Sequence, residues 1–134
     1  MFLDTSGLLC YHSKDEPEHK EAQRLFKGER RHLTHGYVLA EFIALALVRN
    51  VPRLPTLRFS SRLLIHPRVE VVWVDRGLHQ EALDLLGQRL DKGYSLCDAA
   101  SFLLMKRHGI QEALTTDRHF EQEGFTRKLG KTTA

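Results

Sequence analysis

Segments of strand character alternate with segments of helical spacing along the whole of this chain, and that order constrains its fold more than any other feature. Residues 1–3 read as a short buried strand, and Asp4-Thr5-Ser6-Gly7 turns from it into a helix. Asp15-Glu16-Pro17 reads as a second helix start, with Pro17 at the first helical position, running through Ala22, Leu25 and Phe26 to Gly28. Residues 31–34 follow as a strand. Residues 37–49 form a helix that is apolar on more than one face and is therefore expected to be largely buried. Pro55 opens a further helix to about residue 65. Residues 69–74 are the clearest strand, β-branched and bounded by Pro67 and Gly77. Asp75 caps a helix carrying Leu78, Ala82, Leu85, Leu86 and Leu90 at helical spacing, with Gly93 as its expected end. Ser95 starts another, ended by Gly109. Residues 112–116 read as a strand, Asp117 opens a short turn-helix, residues 125–129 form a last strand, and the tail after Gly130 reads as frayed. Such alternation implies a largely parallel sheet covered by helices on both faces, a three-layer α/β/α sandwich. Ligands of such sheets sit beyond the carboxyl ends of the strands.

With 134 residues and no linker or repeat, the chain is expected to form a single domain, 1–134. Its 42% hydrophobic content supplies one core. The longest apolar run, residues 37–48, is too short to span a bilayer and contains Glu41. A charge at Asp4 argues against a signal peptide. Cys10 and Cys97 have no metal-ligand spacing and suit a reducing compartment. A soluble, cytoplasmic protein with no membrane partner is expected. The net charge of +3 permits an anionic partner without requiring one. Arg49, Arg53, Arg58, Arg62, Arg68 and Arg76 fall in one stretch with only two acids. This is either a solvated helical face or a phosphate-contacting surface. On the second reading, Arg49, Arg53, Arg58 and Arg62 are the candidate phosphate-contacting residues.

Four acids stand out by position. Asp4 and Asp117 each follow an expected strand, which places both at the carboxyl edge of the sheet. Glu41 is the one charge in its apolar run, and no Lys or Arg lies a helical turn from it. Asp98 lies near the start of the helix opened by Ser95. Each has a plainer reading: Asp4 and Asp117 as turn or cap residues, Asp98 as the partner of Ser95 in a capping box. Asp75 also follows a strand, and is read as a plain helix cap. If the four converge, two carboxylates about 4 Å apart repel by about 4 kcal/mol at an effective dielectric of about 20. A divalent cation relieves this, and oxygen ligands favour Mg²⁺ or Mn²⁺. The natural reaction of such a site is phosphodiester hydrolysis.

At these residues the chain resembles the PIN-domain ribonucleases, and among them the VapC-type toxins of bacterial toxin–antitoxin modules. The matching stretches are Phe2-Leu3-Asp4-Thr5-Ser6, Leu39-Ala40-Glu41, Ser95-Leu96-Cys97-Asp98-Ala99, Leu114-Thr115-Thr116-Asp117-Arg118-His119-Phe120 and Gly124-Phe125. The resemblance spans nearly the whole chain in the family's order. It implies a PIN-like sandwich, and it makes Asp4, Glu41, Asp98 and Asp117 the metal-binding and catalytic acids. Thr115 matches a hydroxyl position that supports the last acid or the metal's water, and Thr5 and Ser6 match small polar residues beside the first acid. It further implies metal-dependent RNA cleavage, with tRNA or ribosomal RNA as frequent substrates, a homodimer, and a cognate antitoxin protein.

Three other classes make different demands. A haloacid-dehalogenase-type phosphatase needs an acid two residues after Asp4, where Ser6 stands. A non-catalytic RNA- or partner-binding module on the same fold predicts RNA affinity indifferent to chelation. A structural domain whose acids merely cap helices predicts no metal binding. The eight histidines, His119 among them, are read as surface or packing residues rather than as a rival site.

Overall fold

The computed structural model describes residues 1–28 and 31–130. In chain order it contains β1 (Phe2–Leu3), α1 (Thr5–His12), α2 (His19–Gly28), β2 (His32–His35), α3 (Gly36–Val48), α4 (Arg53–Ile65), β3 (Val69–Val72), α5 (Arg76–Gly87), α6 (Leu96–Arg107), β4 (Glu112–Leu114), α7 (His119–Gln122) and β5 (Thr126–Arg127). The expected frayed tail beyond Gly130 lies outside the described residues.

The five strands form one sheet in the order β3-β2-β1-β4-β5, and every pairing is parallel. Phe2 pairs with Leu33 on one side and Ala113 on the other, so β1 is central. Phe2, Leu3, Ala113 and Leu114 are fully buried, as an interior strand covered on both faces requires. Helices α1 to α4 pack against one another, as do α5, α6 and α7, giving an α/β/α sandwich. The chain runs outward from β1 to β2 and β3, then returns across the sheet to β4 on the other side of β1. The crevice between the carboxyl ends of β1 and β4 is therefore the switch point at which parallel sheets bind ligands.

Some expectations change in detail. Helix α2 begins at His19, because residues 13–18 form turns and His19 Nδ1 is bonded to the Cys10 carbonyl at 2.8 Å. Helix α4 starts at Arg53, with Pro55 in the first turn where its missing N–H has no partner to lose. Helix α5 ends at Gly87 rather than Gly93, and Leu90 lies beyond it, 87% exposed. Helix α3 is not largely buried. Val38, Leu39, Phe42 and Ala46 face the core, while Leu47 and Val48 are exposed. An outer-layer helix buries one stripe, whatever the composition of its other faces. Among the described residues, no helix is long and apolar enough to cross a membrane.

Candidate active site

Asp4 directly follows β1 at the head of α1 and is 5% exposed. Its Oδ2 accepts a 2.7 Å hydrogen bond from Thr115 Oγ1, just past the end of β4. That hydroxyl spends its one proton on Asp4, so it accepts from the Asp117 backbone N–H at 3.0 Å and from Ser6 Oγ at 3.1 Å. Ser6 Oγ in turn accepts from Thr116 N at 3.0 Å. Thr115 is fully buried. It thus fixes the first acid by its proton and the last acid by its lone pair, across the switch point.

Asp98 reaches the same place from α6. It closes a capping box: its backbone N–H donates to Ser95 Oγ and its Oδ2 accepts from Ser95 N, both at 3.0 Å. The same Oδ2 lies 3.0 Å from His119 Nδ1. The capping reading and the site reading of Asp98 are compatible, because the box orients the carboxylate rather than consuming it. Asp117 Oδ1 accepts from His119 N at 2.9 Å and lies 3.4 Å from His119 Nδ1. Sequence reasoning set His119 aside, yet the fold places it between two acids. Ligand atoms of Asp98, Asp117 and His119 lie within 4.8 Å of one another. Tyr94 packs edge-on against His119, with ring centroids 5.3 Å apart, and is itself held by Glu123.

Glu41 stands on the exposed side of α3. The argument from burial therefore does not apply to it; of the four acids, Asp4 and Asp98 are the buried ones. The start of α3 is fixed by His35. Its Nδ1 accepts from Tyr37 N, so Nε2 carries the proton and donates to Ser101 Oγ, which donates to the Cys97 carbonyl. Burial pushes His35 down to about 4, which keeps the ring in the neutral form this chain needs. Burial first, and then the neighbouring Glu41 carboxylate, push the Cys97 thiol far up. Cys97 is therefore no nucleophile at neutral pH.

Asp4, Glu41, Asp98 and Asp117 all line one cleft of about 270 Å³, with Thr5, Ser6, Ser95 and His119. Among the described residues, neither Lys nor Arg lines it. Of the arginines named from the sequence, Arg49 is paired with Glu16 at 2.9 Å, and Arg53, Arg58 and Arg62 are exposed on α4. Asp75, the acid set aside as a cap, accepts from Leu78 N at 2.8 Å and lies outside the cleft.

Desolvation pushes Asp4 up to about 7, and the charges of Asp98 and Asp117 add to it, against the Thr115 and Thr5 hydrogen bonds. A carboxyl that binds its proton more tightly folded than unfolded favours the fold at low pH and opposes it as pH rises from about 4 through about 7. The full cost, present at pH 8, is at most about 4 kcal/mol. Asp4→Asn is accordingly expected to stabilise the metal-free protein at pH 8 by up to that amount. The gain should shrink toward pH 5. Urea unfolding in EDTA at the two pH values measures it, and an equal gain at both would contradict this origin. His32 and His35, each lowered to about 4 by burial, act in the opposite direction, but they are common to both proteins and cancel in the difference.

A family model described as the PIN domain matches residues 1–125. Proteins described as 23S rRNA-specific endonuclease VapC20, from two strains of Mycobacterium tuberculosis, are 32% identical over 126 residues, covering 93% of this chain and 95% of theirs. The crystal structure of Mycobacterium tuberculosis VapC20, described as a sarcin-ricin loop cleaving toxin, superposes with a TM-score of 0.85 at 28% identity, covering 93% of this chain and 95% of that one.

Proposed function

The chain belongs to the PIN-domain family and is similar to the VapC20 toxins, and from that premise we propose that it is a metal-dependent endoribonuclease acting as the toxin of a bacterial toxin–antitoxin pair. The observation that carries the reading is the meeting of Asp4, Glu41, Asp98 and Asp117 in one cleft that no described Lys or Arg lines, at the switch point of the sheet.

The donor set suits a hard dication. It is dominated by carboxylate oxygens, Asp4 is held at a proton affinity that a nearby cation would lower, and Thr5 Oγ1 is buried in the cleft wall without a partner. Asp4, Asp98 and Asp117 would hold Mg²⁺ or Mn²⁺, directly or through water. Bound there, the ion supplies Lewis-acid stabilisation of charge on the phosphate and lowers the pKa of bound water. Thr115 keeps Asp4 and the Asp117 backbone in register. His119 Nδ1–H holds the Asp98 carboxylate, leaving its other oxygen for the cleft. Glu41, exposed and in no ion pair among the described residues, orients the attacking water and accepts its proton at the carboxylate. Arg53, Arg58 and Arg62, exposed on α4 and in no ion pair among the described residues, are cations offered for the RNA backbone.

The relatives' descriptions make ribosomal RNA the first substrate to try, and the same family reading makes a homodimer and a cognate antitoxin the expected assemblies. The experiment is incubation of the purified protein with large-subunit ribosomal RNA in Mn²⁺, in Mg²⁺ and in EDTA, followed by mapping of the new RNA ends. Discrete cuts with either ion and none in EDTA are expected. RNA binding that ignores EDTA, with no cleavage under any condition, would replace the nuclease by a binding module.

A further inference from the structure

A second cleft, of about 410 Å³, adjoins the acid cleft and shares Glu41 and Ser95 with it. Its size falls within the range of about 300–1,000 Å³ typical of small-ligand sites. Its remaining walls are Tyr37, Ala40, His79, Leu96 and Cys97, so its lining is apolar except for a few polar atoms. The Tyr37 hydroxyl is hydrogen-bonded to His79 Nδ1, and the two rings meet edge to face at 90°. Trp73 lies on the backbone of Gly36, the residue that precedes Tyr37: a Cβ built on Gly36 would come within 3.0 Å of Trp73 Cε3. That indole is nevertheless 64% exposed. The indole thus leaves an aromatic face in water beside the start of α3, in a domain whose seven phenylalanines are all buried.

We propose that this second cleft holds one unpaired nucleobase of the RNA, next to the phosphate presented to the four acids, with Trp73 as a stacking platform at its edge. The proposal rests on the nuclease reading and adds to it a determinant of which nucleotide is cut. A phosphate finds neither Lys nor Arg among the described residues that line the cleft, whereas a base offers the flat, neutral body that an apolar slot accepts. Tyr37 and His79 supply hydrogen-bonding atoms of the kind that read base edges. Because Glu41 and Ser95 form a shared wall, one strand occupies both clefts by placing consecutive groups in them. A base stacked within a duplex cannot enter, so unpaired loop nucleotides are selected.

Trp73 is the only tryptophan in the chain, which makes its emission a reporter of this edge. The test uses the Asp98→Asn protein, so that RNA is not consumed, and titrates it with a single-stranded RNA oligonucleotide and with the same strand carrying abasic sugars. Base-bearing RNA is expected to quench Trp73 emission and to bind about tenfold tighter than the abasic strand. Tyr37→Ala combined with His79→Ala should abolish that difference while leaving abasic binding unchanged; Tyr37→Phe, which keeps the ring, should retain most of it. Equal affinity for both strands would overturn the proposal. So would equal loss of both in the double variant, which would mean general damage. Emission that varies with protein concentration and not with RNA would overturn it too, assigning the cleft to contact with a second copy of the chain. The active protein separates the two readings. Base-dependent binding without cleavage in Mn²⁺ supports the cleft and removes the nuclease; cleavage without base-dependent binding does the reverse.

Discussion

Asp98→Asn is expected to lower dication-dependent RNA cleavage by about a thousandfold. The substitution keeps the shape of the side chain. The amide oxygen can still accept from Ser95 N, and the Asp98 backbone N–H still donates to Ser95 Oγ, so the capping box and the start of α6 survive. What disappears is one negative charge among the acids that line the cleft. Several kcal/mol of transition-state stabilisation by a bound ion depend on that charge, and about 4 kcal/mol corresponds to about three decades in rate. Two measurements distinguish loss of the site from loss of the fold. Thermal unfolding should be nearly unchanged, and calorimetric titration with Mn²⁺ should show binding in the parent and not in the variant. Asp75→Asn is the matched control, since Asp75 caps α5 and stands away from the cleft. It should retain cleavage within about twofold. If Asp98→Asn kept a tenth of the parent activity, Asp98 would be a capping residue and no more.

The acids were legible in the sequence to unequal degrees, for reasons that lie in the range of the interactions involved. Asp4 and Asp117 could be placed because a strand followed at once by an acid puts that acid at the sheet edge, a purely local inference. Asp98 could be placed because Ser95-x-x-Asp98 marks a helix start; the structure adds that a capping carboxylate can face a cleft while it caps. Glu41 was singled out by an argument from burial, and the fold shows it exposed on α3. The apolar run around it reflects one buried stripe together with Leu47 and Val48, which remain in contact with solvent. No pattern of 3.6 residues separates core from an uncovered apolar face. His119 was passed over because its meaning depends on Asp98, 21 residues earlier, brought near by the packing of α6 against α7. The end of α5 at Gly87 was missed because Leu90 continued the helical spacing beyond the point where Gln88 caps the helix. The return from edge strand β3 to β4, which creates the switch point, is a property of the whole topology and of no single segment.

Gly7→Ala is expected to be the most damaging single-methyl change in the fold, for a reason invisible in the sequence. Gly7 lies in the first turn of α1, fully packed against β4. A Cβ on Gly7 would stand 1.8 Å from the Leu114 carbonyl oxygen and 2.6 Å from the Leu114 carbonyl carbon. Both are backbone atoms of a central strand, so no rotamer change relieves the overlap. The same oxygen already accepts the Asp4 N–H at 3.2 Å, the bond that continues the β1–β4 ladder into the site. The helix must therefore move away from the sheet, or β4 must bend. Either motion separates Ser6 from Thr115 and Thr116, whose bonds of 3.1 and 3.0 Å span the α1–β4 contact. Overpacking a core costs about 1–3 kcal/mol where side chains can adjust, and more is expected where only backbone can give. A loss of at least about 3 kcal/mol is a large part of an ordinary domain's stability and corresponds to a fall in Tm of about 10 °C. Urea unfolding measures the first quantity and calorimetry the second. Because Thr115 holds Asp4, the surviving folded fraction should also bind Mn²⁺ more weakly. Gly87→Ala is the comparison: its Cβ meets nothing within 4 Å, and the change should leave stability the same or slightly higher. If the two variants unfolded alike, the close approach of α1 to β4 would not be present in the folded protein.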